Sequence, residues 1–201
     1  MKNFEALLAG SAKQHGHMCP GQVIGVRMSL LGLDLIDLEN PKETRDIKKL
    51  IVYVEIDRCA TDAIAYVTGA ALGRRSLKFV DGGIMAATFV NLETGKTFRI
   101  VSRESARHLA QTYAPDIVDK KEQQLQAYKK MPLHELFQVS EVKVRIPQSD
   151  MPGPTKFKVL CEECGITVRD RKEVIQEGRS LCRECAGKAY YYERRDLELL
   201  V

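Results

Sequence analysis

Six cysteines and four histidines hold most of the chemistry open to this chain, and their spacing sorts most of them into two groups. The first group opens in the run His15-Gly16-His17-Met18-Cys19-Pro20-Gly21. Imidazole and thiolate are ligands for zinc and other first-row metals, and a thiolate beside a histidine base is also a nucleophile. A residue before proline is pushed out of helical geometry, so residues 15–19 are expected to be extended, with side chains two apart on one face. On that reading His15, His17 and Cys19 converge. Pro20 suits the first turn of a helix, whose positive end favours thiolates and bound anions. Cys59, between the apolar run from Leu50 to Ile56 and the start of another helix, is their natural partner. His17, Cys19 and Cys59 then form a mixed nitrogen–sulfur site for a second zinc or another transition metal, with His15 or Asp62 as a further ligand or an orienting group. Three protein ligands leave one position open to water or substrate, the arrangement of a site that does chemistry. The same residues admit a metal-free reading, with Cys59 as nucleophile and His17 as base.

The second group is Cys161-Glu162-Glu163-Cys164 and Cys182-Arg183-Glu184-Cys185, with seventeen residues between the pairs. Each C-x-x-C aims two thiolates at one point, and four thiolates close a tetrahedral shell around zinc with no open position. Such a site is structural, and replaces the apolar core that about forty residues can hardly supply. Gly165 relieves the first knuckle, and Ile166-Thr167-Val168 can leave it as a strand. The second knuckle is expected to open a C-terminal helix with Ala189, Tyr190 and Tyr192, the arrangement of a treble clef. From Thr155 onward there are ten Lys/Arg against nine Asp/Glu, interleaved. Four thiolates on zinc add a charge of about −2, so the clustered positive surface that nucleic acid needs is not expected. A protein-contact or lid role fits better. His108 and His134 stand alone and are assigned to surface or packing.

The elements that must position these groups follow from periodicity. Residues 4–13 carry Phe4, Leu7 and Leu8 at helical spacing and lead into the ligand run. A second helix runs from Pro20 and fades near Asp37. The apolar stretch to Ile56 suggests a central strand, and the next helix, capped by Cys59 or Thr61, ends between Gly69 and Gly73. Strands at Leu77 to Val80, Ile84 to Asn91 and Thr97 to Val101, joined by glycine-bearing turns, predict an antiparallel meander. Helices follow from Glu104 to Tyr113 and from Asp116 to Lys130, then a short helical turn at 132–137. A last strand carries Val139, Val142, Val144 and Ile146. Three prolines and a glycine at 147–154 mark a linker. The expected organisation is an α+β core over residues 1–146, the linker at 147–154 and a zinc-binding domain over 155–201.

Composition sets the outer limits. At 201 residues, 44% hydrophobic and 29% charged, the chain has enough for one substantial domain with a small appendage. Its formal charge of +4 gives no reason to invoke nucleic acid or membrane. The apolar runs are too short to span a bilayer, and Met1-Lys2-Asn3-Phe4-Glu5 lacks the apolar stretch of a secretory signal. Paired C-x-x-C units without such a signal favour metal over disulfides, so a cytoplasmic location is expected.

Taken together, the ligand run with Gly25-Val26-Arg27-Met28, then Asp57-Arg58-Cys59-Ala60-Thr61-Asp62-Ala63-Ile64 and Val67-Thr68-Gly69, resembles the FmdE family of formylmethanofuran dehydrogenase proteins. Gly73, Leu77, Thr88-Phe89 and Leu133-His134-Glu135-Leu136-Phe137 continue the likeness, which covers most of residues 4–146. The resemblance implies a mixed α+β core, often dimeric, and in some members a C-terminal zinc finger like this one. It also implies association with a molybdenum or tungsten oxidoreductase complex that fixes CO2 as a formyl group on an amine cofactor. Two departures stand out. The family pattern continues Thr-Gly-Cys and then Gly-Lys-Gly-Asn, whereas this chain has Thr68-Gly69-Ala70 and Gly73-Arg74-Arg75-Ser76. Three functions follow: an accessory component of a larger oxidoreductase, a stand-alone zinc- or thiol-dependent enzyme acting on a small molecule, or a metal-handling protein. The polar helices and the edge of the meander add the expectation of a homodimer.

Overall fold

The N-terminal half is built on three helices whose close approach depends on glycine. Residues 4–191 are described by the computed structural model. Helix α1 (Phe4–His15) buries Leu8, Ser11 and Ala12. Helix α2 (Pro20–Leu35) has Pro20 in its first turn and Cys19 as an extended N-cap. It is apolar on almost every side, and such a helix must be covered: Val23, Val26, Met28 and Leu33 are at most 1% exposed. Helix α3 (Cys59–Thr68) lies directly against it. A Cβ on Gly25 would stand 2.5 Å from the Ala60 carbonyl oxygen and 2.6 Å from the Ala63 Cβ. One on Gly21 would stand 3.0 Å from the Cys59 Cβ. Only glycine lets the two backbones meet so closely.

The sheet has five strands in the order β2-β1-β3-β4-β5: β1 (Leu50–Val54), β2 (Leu77–Phe79), β3 (Ala86–Asn91), β4 (Thr97–Ser102) and β5 (Phe137–Glu141). Every residue of β3 is buried. Val52, Val54, Ala87, Phe89 and Ile100 belong to one core with residues of the helices. The expected meander over 77–101 is corrected by the pairing. Strand β1 inserts between β2 and β3, with Val52 opposite both Leu77 and Phe89. The β1–β2 pair is parallel, which requires a crossover, and α3 supplies it. Only β3 and β4 form a hairpin within that stretch. The segment after β2 instead follows the end of β1, where the Val80 N–H donates to the Val54 carbonyl and the Ile84 N–H to that of Glu55. Helices with a mixed sheet make the fold α+β.

Helix α4 (Ser105–Tyr113), α5 (Lys120–Lys130) and α6 (Leu133–Leu136) complete the core unit. Helix α5 begins later than Asp116 because the Asp119 carboxylate accepts the Glu122 N–H and caps it there. The last strand stops at Glu141 rather than Ile146. The Val142 N–H reaches the carbonyl of Thr97, the first residue of β4, and beyond it no partner strand remains among the described residues. Val142, Val144 and Ile146 still alternate as half-buried residues with exposed Lys143 and Arg145.

The chain divides into two compact units, Met1–Arg145 and Ile146–Val201. The proline-rich segment of the second holds a short 3-10 turn, Gln148–Asp150. Two antiparallel hairpins follow, β6 (Lys158–Leu160) with β7 (Thr167–Arg169) and β8 (Val174–Gln176) with β9 (Arg179–Leu181). Their shared core is small: Cys161, Leu181 and Cys182, with Val168, Cys185 and Ala186 against them. After the second knuckle residues 183–187 form turns, and no helix follows up to Tyr191. Tyr192, expected on that helix, lies outside the described residues. Among the described residues no helix is long and apolar enough to cross a membrane.

Candidate metal centres

The first group of ligands is assembled by a helix end, a glycine and a second helix start. Helix α1 runs through His15, so residues 15–19 are not one extended segment. Gly16 stops the helix with φ +98°, and its N–H returns to the Ala12 carbonyl. That positive φ is open to glycine at little cost, and it reverses the chain. The turn, not strand alternation, sets the His15 and His17 rings 4.5 Å apart. Cys19 then caps α2 in extended geometry before Pro20. Cys59 arrives as the first residue of α3. Neither Cys59 nor Thr61 caps that helix: Arg58 holds the N-cap position without a side-chain bond, and the Thr61 hydroxyl donates back to the Ile56 carbonyl.

One ligand atom from each of His15, His17, Cys19 and Cys59 lies within 4.8 Å of the other three. His17 is exposed and the other three are half-buried. Asp62 sits one turn along α3, and its Oδ2 stands 2.8 Å from His15 Nδ1. In a ring whose Nδ1–H is donated to that carboxylate, Nε2 is the nitrogen left to bind a metal. His15 Nε2 is buried, with no hydrogen-bond partner among the described residues. A buried ring nitrogen without a partner, beside two thiols and a second imidazole, fits a transition metal.

Two residues that the sequence reading passed over hold this arrangement in place. Gln22 is fully buried on α2; its Nε2 donates to the Cys59 carbonyl at 2.7 Å, and its Oε1 accepts from the hydroxyl of the second, Ser11 of α1. One amide thus ties all three helices together beneath the site. The available signal was a lone amide three residues after Cys19, on a helix otherwise almost wholly apolar. A second expectation is reversed. The start of a helix should favour a thiolate, but burial first, and then contact with Cys19, push the Cys59 thiol up. The family thiol replaced by Ala70 falls at a position that is 2% exposed and part of the hydrophobic core. His108 and His134 are exposed, away from this group.

In the second unit Cys161, Cys164, Cys182 and Cys185 likewise place their sulfurs within 4.8 Å of one another. Cys161 is buried, and the backbone amides of Cys164 and Cys182 bring its thiol down to about 6. Contacts with the Cys164 and Cys182 sulfurs push Cys185 the other way. Amides aimed at the sulfurs favour thiolate and complete a structural zinc module.

Comparison with known proteins identifies both units and supports the zinc finger of the second. The family model described as FmdE, molybdenum formylmethanofuran dehydrogenase operon, matches residues 14–139. A second model, the prokaryotic dksA/traR C4-type zinc finger, matches residues 153–191. A solved structure described as a tungsten formylmethanofuran dehydrogenase FmdE-like protein from Syntrophus aciditrophicus shares the fold. Its TM-score is 0.61 at 18% identity, over 94% of this chain and 95% of that one. A curated protein of Archaeoglobus fulgidus, described as a probable S-adenosyl-L-methionine-binding protein, is 27% identical over 92% of this chain and 53% of its own length. The chain therefore spans about half of that relative.

Proposed function

The chain belongs to the FmdE family, and from that premise we propose that it is a two-metal protein whose core centre serves formyl-level one-carbon chemistry in association with a molybdenum or tungsten oxidoreductase complex. The finger zinc is structural. The core metal, a second zinc or another first-row ion, is held by His15 Nε2, His17 and the Cys19 and Cys59 sulfurs, with Asp62 orienting His15. The observation that carries this reading is the buried His15 Nε2, unpartnered while Nδ1 is fixed by Asp62. When bound, such a metal supplies a Lewis acid that polarises a carbonyl or formyl oxygen.

The chain's own residues set how the centre opens. His17 is the exposed member of the four and follows a glycine turn, so with a metal bound it would be the ligand on the solvent side, where a small-molecule substrate would approach. Cys19 and Cys59 are fixed by the two helix starts, and Gln22 holds the carbonyl of Cys59. Two thiolates against a divalent ion leave the centre near neutral, which suits an uncharged carbonyl better than a phosphate.

Cobalt substitution tests the reading. Cobalt(II) in a tetrahedral sulfur site gives strong visible bands, and the mixed centre adds a second, shifted set. A His15→Ala/Cys59→Ser chain should keep the finger bands and lose the second set. Superimposable spectra from parent and variant would refute the core centre. Activity of the isolated chain on a formyl substrate would favour a stand-alone enzyme over a component of a complex.

A further inference from the structure

The parallel strands β1 and β2, with α3 between them in sequence, bring two strand ends and a helix start to one edge of the sheet. In open sheets, ligands gather outside the carboxyl ends of parallel strands. Here those ends are Val54 and Phe79, which are register partners, and Cys59 opens α3 shortly after Val54. The Val80 N–H donates to the Val54 carbonyl and the Ile84 N–H to that of Glu55. Ile56 follows, its carbonyl held by the Thr61 hydroxyl in the first turn of α3. Residues 79–84 are thereby fixed beside the approach to Cys59. All of them are exposed, and they include Phe79, Val80 and Ile84 at 47%, 48% and 44%. Leu77, two residues before Phe79 and on the same strand face, joins the core that also holds Ala63, Ile64 and Val67 of α3. Phe79 therefore stands on the helix-bearing side of the sheet, at its rim. Met18, between the ligands His17 and Cys19, is 40% exposed. Asp57 and Arg58, the exposed residues just before Cys59, cancel in charge, and Asp81 is the one ionisable residue within 79–84.

We propose that Phe79, Val80 and Ile84, with Met18, form the specificity wall of the core centre and hold the apolar body of a substrate whose carbonyl or formyl group meets the metal. The inference rests on the metal reading above and adds the substrate class: an uncharged acyl compound with an alkyl or aromatic body, rather than a free small anion or a phosphorylated compound. Single exposed apolar side chains need no explanation. Three within six consecutive residues, at strand ends beside four convergent ligands, do. The segment is hydrogen-bonded to β1 at both ends, so the wall stands before a ligand arrives and little ordering is spent on binding. Leu72 is more exposed still, at 68%, but lies at the other end of β2, where the Leu77 N–H reaches the Ala71 carbonyl. It is outside the wall.

The test uses the full chain loaded with cobalt and a series of straight-chain hydroxamates, from acetohydroxamate to octanohydroxamate, whose head group binds the metal. Binding is read as a shift of the core cobalt bands, and circular dichroism confirms folding. Affinity should rise about two- to fourfold with each added methylene until the wall is covered. Phe79→Ser and Ile84→Ser should each weaken octanohydroxamate by about tenfold and acetohydroxamate far less. Leu72→Ser should change neither. Should one wall variant fail to fold, the other and the chain-length series of the parent decide. Equal affinity along the series overturns the wall and leaves the metal reading standing. Octanohydroxamate binding that is unchanged in folded Phe79→Ser and Ile84→Ser does the same. Core bands that no hydroxamate moves overturn it as well, because the centre then offers no place for a substrate. A parent without core bands would remove the metal reading itself, and the wall with it.

Discussion

Placing one methyl group on Gly25 should damage the core centre from two turns away. In Gly25→Ala the new carbon would lie 2.5 Å from the Ala60 carbonyl oxygen, 2.6 Å from the Ala63 Cβ and 2.9 Å from the Ala60 Cα. Ordinary contact is about 3.5 Å. All three atoms belong to the α3 backbone or are fixed to it, so none can rotate away. The helices must part by about 1 Å. Alanine gains roughly 0.8–1.0 kcal/mol of helix propensity over glycine, whereas overpacking costs about 1–3 kcal/mol and sometimes more. The clash wins because backbone is on the receiving side, and the net loss should be about 1–2 kcal/mol. The metal should suffer more. Cys59 opens α3 and Cys19 caps α2, so a separation of about 1 Å far exceeds the about 0.2 Å that metal–ligand bonds tolerate. Urea midpoints and metal content should be read on the same preparation, with Gly73→Ala as the control. A Cβ at Gly73 meets nothing within 4 Å, so that change should stay within about 0.5 kcal/mol. A Gly25→Ala chain as stable as the parent and fully loaded with metal would refute the glycine-dependent contact.

Asp62→Asn should keep the fold and weaken core metal binding by about 10–100-fold, the usual consequence of losing a carboxylate that orients a ligand histidine; unchanged affinity in a chelator competition would count against that role. Cys164→Ser should expose the second unit to protease while the core unit stays protected; equal resistance of that unit in mutant and parent would contradict its dependence on zinc. Tyr128 is 3% exposed, and burial raises its phenol above the ordinary value. A raised folded value gives stability that is complete below the unfolded pKa of about 10 and is lost as pH climbs through the folded one. Tyr128→Phe should therefore lose less stability than the parent between about pH 9 and pH 11 in urea titrations, and parallel losses would sink the assignment.

The residue types in the ligand run were readable because histidine, cysteine and proline each restrict what the backbone and the chemistry can do. Their geometry was not. Alternation before Pro20 suggested a strand, but α1 keeps its hydrogen bonds through His15, and the left-handed Gly16 does the work assigned to strand alternation. The helices on Pro20 and Cys59 were legible from apolar spacing, and their caps were not, because Thr61 found a closer acceptor in Ile56. The sheet order was hidden for a different reason. Strand alternation says which face is buried, but nothing in Leu77 to Phe79 says whether its partner lies before or after it in the chain. The parallel pairing is decided by where α3 carries the chain. Gln22 was overlooked because a buried amide has meaning only once the groups it joins, Ser11 and the Cys59 carbonyl, are known to be near.

The core centre stands or falls on a metal count. The full chain, purified with zinc supplied, should carry two equivalents by mass spectrometry. A folded His17→Ala/Cys59→Ser chain should carry one, retained in the finger, and a Cys164→Ser chain should keep the one held by the core. One equivalent in the parent, lost with Cys164→Ser and unaffected by His17→Ala/Cys59→Ser, would contradict the account and leave the four converging side chains as a thiol–imidazole cluster without a metal.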